Sequence, residues 1–441
     1  MSSALPLEQA DAGEGPSESP GRQLLQTRDF SLLFWGQLTS QIGDSLNRVA
    51  LLWFVYQMTG SAMKMVVIGL LQTIPPLVLS PFIGVYLDRA NKKFVMVWVD
   101  LARTALVLLI PLLYSLGELT LNRLYASIFL LAIVSTLFGP ALSSAVPQIV
   151  RRDQLTAANA LLQTTANIGL LIGPLISGIG IALVGFQHVL YADAATFLIS
   201  ALCLLPIRLR PVIIPPHTVA SGRWRQELMA GVHFICIGQP TILKLMLAAA
   251  LYSLAASAFA FMLPVFAERN LSASALELGI LWSALGAGML AASACLASLS
   301  QGNMARRFKM VFRSMVVGGV AMCGLSLISA PLIAGAFILV IGGSTALFMP
   351  IMWGVLQEVT PEHLLGRVFA TFSIGSMASA MVGMAGFGWA ADTMGPHVSL
   401  LGIGLVLLIG AYVVALCSRR CHLLVEACRI PLDEEPKARA A

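Results

Sequence analysis

Four polar side chains share one face of the first long apolar stretch of the chain, residues 30–57. Gln37, Gln41, Asp44 and Arg48 recur at spacings of four, three and four residues, which stacks them along one side of an α-helix. Asp44 lies about 14 residues into the stretch, or roughly 21 Å along a helix axis. A carboxylate that faces lipid at such a depth costs about 2.5–3.5 kcal/mol. The spacing therefore predicts that this face is turned towards a polar cavity.

Asp44 and Arg48 are one helical turn apart, and two interpretations of them are open. Either they form a buried i,i+4 pair that braces the helix, or Asp44 changes its affinity for protons when the pair separates. In the second case the carboxylate couples proton flow to transport. Asp193, which lies in a later apolar stretch, is a second candidate for carrying the proton.

The apolar stretch at 155–184 carries another polar face and a run of small residues. Asn159, Gln163 and Asn167 recur every four residues, and we expect them to share a water-accessible cavity with the first polar face. Small residues and one proline follow at close spacing: Gly169, Gly173, Pro174 and Gly178. Because small residues permit close helix packing and proline bends a membrane helix, we expect this run to shape the helix and its contacts.

A glycine and several charges mark the connection after the second apolar stretch: Gly84, Asp88, Arg89, Lys92 and Lys93. Near the start of the third stretch, Asp100 and Arg103 follow at a spacing of three residues. We predict that these charges form a network that locks one conformation of the protein. Lys92 and Lys93 are expected to face anionic lipid headgroups.

These residues must be positioned by membrane helices. Of the 441 residues, 58% are apolar and only 11% are charged, and the mean hydropathy is +0.85, which excludes an ordinary soluble protein. Twelve apolar stretches between residues 30 and 418 are long enough to cross a bilayer. They leave no room for a soluble catalytic domain, and His, Cys and carboxylate residues form no cluster typical of a metal or catalytic site. We therefore expect an all-α membrane protein that is not an enzyme and has no metal or cofactor.

Positive charge and internal similarity divide the chain into two halves. Among the 27 Lys and Arg residues, only Lys64, Arg123 and Arg269 fall in loops opposite the side shared by the termini, which predicts cytoplasmic ends. Residues 91–98 are similar to residues 305–312, at matching points of the halves. Five segments are predicted: a flexible cytoplasmic tail at 1–27, six-helix bundles at 28–207 and 242–420, a cytoplasmic linker with an amphipathic helix at 208–241, and a cytoplasmic tail at 421–441.

Two of these motifs resemble those of the major facilitator superfamily. Residues 84–93 are similar to its motif A, with Asn91 where the motif usually has Gly. Residues 169–178 are similar to motif C, the mark of its antiporters, with Ser177 where the motif usually has Gly. The resemblance implies twelve transmembrane helices in two pseudo-symmetric six-helix bundles. It also implies that motif A forms a gate at the cytoplasmic side, to which Asp100 and Arg103 contribute.

Residues 29–37, 43–48 and 359–369 resemble a bacterial branch of that superfamily, the drug:proton antiporters that include macrolide efflux pumps and the enterobactin exporter. The resemblance implies a secondary transporter of the inner membrane that exports an amphipathic small molecule by proton antiport through alternating access. The expected partners are this substrate, protons and membrane lipids. We expect a monomer without a nucleic-acid partner, because the basic residues are scattered between apolar stretches.

Two alternatives remain open from the sequence. A lipid or lysophospholipid flippase would have the same fold and would differ in its substrate and in a lateral opening. A non-transporting membrane sensor or scaffold would keep the fold and bind a ligand without moving it across the membrane.

Overall fold

The computed structural model describes residues 20–151, 154–210, 240–298, 304–360 and 365–427. Fourteen helices and no strands occur in these ranges. The helices are α1 (Pro20–Gln26), α2 (Arg28–Thr59), α3 (Ala62–Arg89), α4 (Lys92–Ser115), α5 (Leu121–Ser135), α6 (Phe138–Ile149), α7 (Leu155–Val184), α8 (Phe186–Leu204), α9 (Pro240–Leu271), α10 (Ala275–Ser298), α11 (Met304–Leu325), α12 (Pro331–Val359), α13 (Leu365–Met394) and α14 (Pro396–Ala427).

The helices confirm the all-α membrane fold. Within the described ranges, eleven segments are long and apolar enough to cross a membrane, and α5 and α6 together form one of them. Helix α2 is not among the eleven because its polar residues lower its hydropathy. Its 32 residues nevertheless extend about 48 Å, and it packs along both α7 and α8. With α2 as the twelfth crossing, the structure agrees with the expected number of spans.

The fourth span is broken where the sequence predicts one continuous helix. Helix α5 ends at Ser135 and α6 begins at Phe138, so that Thr136 and Leu137 separate them. Pro140 lies four residues after Thr136 and has no N–H to donate to the Thr136 carbonyl. The proline therefore removes a hydrogen bond that a continuous helix would need at this point.

Helices α1 to α8 form the N-terminal half of the molecule, and α9 to α14 form the C-terminal half. The main contacts between the halves run along α7 against α10 and along α3 against α13. We call the end at which α2 begins and α14 ends the termini face, and the opposite end the far face. Successive long helices run in opposite directions, so α3 begins and α13 ends at the far face.

Two segment boundaries differ from the predicted ones. Residues 20–26, predicted as part of a flexible tail, form α1, which packs against α2 and α7 and places Leu24 at 1% exposure. Burial of this leucine explains why the segment folds onto the bundle. Helix α14 continues to Ala427, beyond the predicted end of the bundle at 420. Residues 1–19, 211–239 and 428–441, which hold most of the predicted tails and linker, lie outside the described ranges.

Candidate functional site

The interior of the N-terminal half contains a group of acidic and basic side chains, which we call the buried charge cluster. Its members are Asp44 on α2, Asp100 and Arg103 on α4, and Asp193 on α8. They meet because α8 packs against both α2 and α4. Asp100 and Asp193 are fully buried, and Arg103 is 7% exposed. The cluster thus places three carboxyl groups around one buried guanidinium.

Arg103 contacts one carboxyl group of the cluster and several residues outside it. Its Nη1 lies 3.7 Å from Oδ1 of Asp100, and its Nε donates a 2.8 Å hydrogen bond to Oγ of Ser135, the last residue of α5. The guanidinium carbon lies 5.0 Å from the ring centre of Phe138 and 5.2 Å from that of Phe197. These cation–π contacts stabilise a charge that is withdrawn from water.

The carboxyl groups have fewer partners than carboxylates need. Asp193 accepts a hydrogen bond from Nδ2 of Asn47 through Oδ2. Its Oδ1 and both oxygens of Asp100 accept no hydrogen bond of 3.5 Å or less among the described residues. Thr196 lies beside the Asp193 carboxyl group, and Ser200 and the Arg103 guanidinium lie beside that of Asp100. The close approach of α8 to α2 requires Gly43, because a Cβ at that position would lie 2.6 Å from Oδ1 of Asp193. Unpartnered buried carboxyl oxygens are costly when ionised, which makes this a candidate site for exchanging protons.

The structure separates Asp44 from Arg48. Within the described part of the chain, no ion pair of 4 Å or less joins them, although both Arg48 and Arg103 lie near enough to act on the charge of Asp44. The Arg48 side chain is exposed and lines a cavity of about 190 Å³ between the two halves. The sequence pattern placed both residues on one helix face, but it could not show that they serve different surroundings.

The other predicted cavity residues spread along α2 and α7. Gln37 is 5% exposed, and its Oε1 has no hydrogen-bond partner among the described residues, whereas Gln41 is half-buried. On α7, Asn159 and Gln163 are exposed and Asn167 is half-buried. None of these five lines the 190 Å³ cavity. A shared cavity for the two polar faces therefore stays a prediction.

The motif A segment is described only in part. The side chains of three of its members lie outside the described residues: Gly84, Asp88 and Arg89. Asn91, which stands where the motif usually has Gly, is the N-cap of α4, and its Oδ1 accepts hydrogen bonds from the N–H groups of Lys93 and Phe94. Capping explains an asparagine here. Lys92 and Lys93 are half-buried in the first turn of α4, and Asp100 and Arg103 belong to the buried charge cluster.

The motif C glycines pack against α2 on one side. A Cβ on Gly169 would lie 2.6 Å from the carbonyl oxygen of Gln41, and Gly173 is equally close to the same helix. Ser177, where the motif usually has Gly, donates a 3.0 Å hydrogen bond from Oγ to the Leu46 carbonyl. This buried hydrogen bond accounts for the departure from the motif.

The same run contacts the other half of the molecule further along α7. A Cβ on Gly178 would lie 2.6 Å from the Ala275 carbonyl of α10, and a Cβ on Gly279 would lie 2.5 Å from the Pro174 carbonyl. Backbones approach this closely only where side chains are absent. Motif C thus forms a seam between the two halves near the far face.

A second joint at the far face was not predicted from the sequence. Asp392, in the last turn of α13, accepts hydrogen bonds from the first residues of α3: from Oγ of Ser61 at 2.6 Å, from the Ala62 N–H at 2.8 Å and from the Met63 N–H at 3.0 Å. The carboxylate satisfies free N–H groups at a helix N-terminus and faces its positive dipole. These contacts join the two halves directly.

Arg269, at the end of α9, completes this joint. Its Nη2 lies 3.7 Å from Oδ1 of Asp392 and donates a 2.7 Å hydrogen bond to the Gly60 carbonyl, while its Nη1 donates to the Ala391 carbonyl at 3.3 Å. The guanidinium also lies 5.9 Å from the Tyr56 ring centre. We call Asp392, Arg269 and their partners the far-face latch. No local sequence signal identifies it, because its residues are distant along the chain.

Two helical halves with a cavity between them, and with charges buried in one of them, form the major facilitator fold. Two solved structures are similar to this chain over most of its length. A bacterial homologue of the iron transporter ferroportin in an inward-facing state has a TM-score of 0.71 at 14% identity, covering 89% of this chain and 99% of that one. An inward-facing bacterial homologue of the human lysosomal transporter Spinster has a TM-score of 0.68 at 14% identity, covering 89% and 98%.

Residues 22–429 match the model of the family described as transmembrane secretion effector, and the chain belongs to that family. The multidrug efflux pump Tap of Mycolicibacterium fortuitum is 27% identical over 87% of this chain and 95% of its own. Macrolide efflux protein A of Streptococcus pyogenes is 25% identical over 79% and 86%, and the enterobactin exporter EntS of Shigella boydii is 29% identical over 61% and 62%. The protein is a secondary transporter that exports small molecules, with the family and fold of transporters rather than enzymes.

Proposed function

We propose that this transporter exports an amphipathic small molecule by proton antiport through alternating access. The buried charge cluster carries the proposal. Full ionisation of Asp44, Asp100 and Asp193 around Arg103 would leave net negative charge in a poorly hydrated interior, which is strongly unfavourable. Holding a proton reduces that charge, so the cluster is suited to binding a proton in one conformation and releasing it in another.

Asp44 is the member through which protons would exchange with the cavity side. It is half-buried, whereas Asp100 and Asp193 are sealed from solvent. It also lies one helical turn from Arg48, which lines the cavity between the halves. A change in hydration at Asp44 therefore alters the charge that the whole cluster can hold.

The far-face latch and the α7–α10 seam support one conformation of the alternating-access cycle, in which the far face is closed. Both join the halves at the far face, so in this conformation we propose that the substrate path opens towards the termini face. In the opposite conformation, the motif A segment around Asp88 and Arg89 would close the termini face. The moving bodies would be the predicted bundles 28–207 and 242–420, joined by the linker at 208–241.

The lysine and arginine distribution supports an orientation with both termini in the cytoplasm of a bacterial cell and the protein in its inner membrane. A single chain contains both halves and the cavity between them, so we propose that the monomer is the transporting unit. The named relatives support drugs, macrolides or siderophore-like compounds as substrates.

Transport into inside-out vesicles or proteoliposomes with an imposed pH gradient tests this proposal. With a panel of macrolides, dyes and siderophores, we expect gradient-driven accumulation of at least one compound by the wild type. Asp44→Asn should abolish accumulation against a gradient and leave equilibrium binding of the same compound intact. Glu118→Gln is the matched control, because Glu118 is an exposed carboxylate paired with Arg123 outside the cluster.

Unchanged uphill transport by Asp44→Asn and by Asp193→Asn would remove the cluster from the mechanism. Headgroup-dependent transport of lysophospholipids, with no transport of the other compounds, would favour a flippase. Binding without any vesicle transport would favour a sensor or scaffold.

A further inference from the structure

The residues that line the cavity between the halves indicate a narrower class of substrate than amphipathic compounds in general. Its wall comes from α2 and α3 of the N-terminal half and from α9, α10 and α13 of the C-terminal half. Its volume of about 190 Å³ is below the roughly 300–1,000 Å³ of sites that enclose a whole drug-sized ligand. It therefore accommodates one end of an amphipathic molecule.

Two hydrogen-bond donors in the wall have no partner among the residues that the structure describes. Arg48 is exposed and makes no hydrogen bond or ion pair within the described part of the chain. Trp282 is 2% exposed, and its buried Nε1 N–H has no hydrogen-bond partner in the described ranges of the chain. A buried N–H without an acceptor costs about 1–3 kcal/mol, and a bound ligand oxygen removes that cost.

The rest of the wall supplies apolar contacts and neutral polar groups, without any acid. Phe261 and Met384 provide an aromatic ring and a thioether, and Ser257 and Gln72 provide neutral polar groups. Among the described residues that line the cavity there is no Asp or Glu. Asp44 lies one helical turn from Arg48 but is not among the described residues that line the cavity. The wall thus presents one positive charge, which attracts anionic oxygens and repels ammonium groups.

We infer that this cavity is a substrate subsite for an aromatic group that carries an anionic oxygen, such as a carboxylate or a phenolate. Arg48 binds the anionic oxygen, the Trp282 N–H donates to an acceptor on the same group, and Phe261 packs against the ring. The inference rests on the proposed export function and narrows it. Among amphipathic compounds, acidic aromatic ones are preferred to those whose charge is a basic amine.

Two dyes that share a xanthene ring system and differ in charge test this subsite. Fluorescein is anionic and carries a free carboxylate, whereas rhodamine 6G is cationic and its carboxyl group is esterified. Binding of each to the purified full-length protein in detergent, without any gradient, is measured by fluorescence anisotropy. We expect the wild type to bind fluorescein more tightly, and Arg48→Gln to weaken fluorescein binding about tenfold, as expected for loss of a charge-assisted hydrogen bond.

Variants separate the two donors from a general effect of charge. Trp282→Phe keeps the aromatic ring and removes the N–H, so it should weaken fluorescein binding while Arg48 is intact. Arg48→Lys should retain part of the affinity, because it keeps the charge without the planar fork. Arg123→Gln, which changes an exposed arginine outside the cavity, should leave binding unchanged. If Arg48→Gln does not fold, Trp282→Phe and Arg48→Lys still decide the question.

Tighter binding of rhodamine 6G, or fluorescein binding that is unaffected by Arg48→Gln and Trp282→Phe, would overturn the subsite. Gradient-driven transport distinguishes this result from failure of the proposed function. Uphill transport of rhodamine 6G that does not depend on Arg48 would refute the subsite and leave proton antiport standing. Arg48-dependent binding of fluorescein without gradient-driven transport of any compound would support the subsite and refute proton antiport.

Discussion

The two halves share a helical architecture but differ in what their interiors contain. The N-terminal interior holds Asp44, Asp100, Arg103 and Asp193. In the C-terminal half, none of the charged side chains that the structure describes is fully buried. At its centre, Tyr252 donates a 2.9 Å hydrogen bond to the Thr345 carbonyl and stacks on Phe348, with ring centres 3.9 Å apart.

The two halves therefore share a helical fold, but their interior side chains differ in charge. Buried charges respond to hydration and to protons, whereas a neutral hydroxyl and stacked rings do not respond at neutral pH. In the proposed mechanism, the N-terminal half is therefore the one that would bind and release protons. The C-terminal half supplies uncharged residues to the cavity wall, and Asp392 and Arg269, which contact the other half at the far face.

Removing the buried cation should cause the largest loss of stability. Arg103→Leu leaves three carboxyl groups without their buried partner, and breaking a buried pair costs about 3–5 kcal/mol. We expect a marked fall in melting temperature in detergent, partly restored by adding Asp100→Asn. Arg313→Leu, at an exposed position of α11, is the control in the other half. An equal fall in both single variants would remove the contrast between the halves.

Crowding the seam between the halves should have the next largest effect. Gly279→Ala places a Cβ 2.5 Å from the Pro174 carbonyl, and overpacking costs about 1–3 kcal/mol. We expect the far face to open, which spin labels at Met58→Cys and Met394→Cys would detect as a longer distance. Gly386→Ala, with no neighbouring atom within 4 Å of its Cβ, should not change the distance. A distance that is also unchanged in Gly279→Ala would show that the seam does not hold the face closed.

Weakening the far-face latch should have a smaller effect in the same direction. Asp392→Asn removes the charge from hydrogen bonds to three residues of the other half, and we expect a loss of about 1 kcal/mol, or about a fivefold shift in the conformational equilibrium. The same labelled pair measures the shift. Asp392→Glu keeps the charge and should restore part of the closed population. A latch that mattered only for folding would lower the melting temperature without altering the distance distribution.

The C-terminal interior should be the least sensitive. Tyr252→Phe keeps the ring that stacks on Phe348 and removes one hydrogen bond, which costs about 0.5–1.5 kcal/mol. We expect a small fall in melting temperature and an unchanged dependence of transport on the pH gradient. A changed dependence would show that the second half also takes part in proton coupling.

Sequence periodicity was sufficient for the helices, because they depend on residues a few positions apart. It also drew attention to Asp193 as an isolated charge in an apolar stretch. It could not show that Asp193 and Arg103 meet near Asp44, since that depends on how α8 packs against α2 and α4. The far-face latch escaped detection for the same reason, because Asp392 and Ser61 are separated by 331 positions.

The buried Arg103 is connected by hydrogen bonds to the backbone beside the break between α5 and α6. Arg103 is hydrogen-bonded to both Oγ and the carbonyl of Ser135, the residue immediately before the break. In the proposed mechanism, a newly ionised carboxylate that attracts Arg103 would also displace Ser135 at the end of α5. Protonation would thereby alter the geometry of the fourth span at Thr136 and Leu137, and α6 would transmit that change to the termini face.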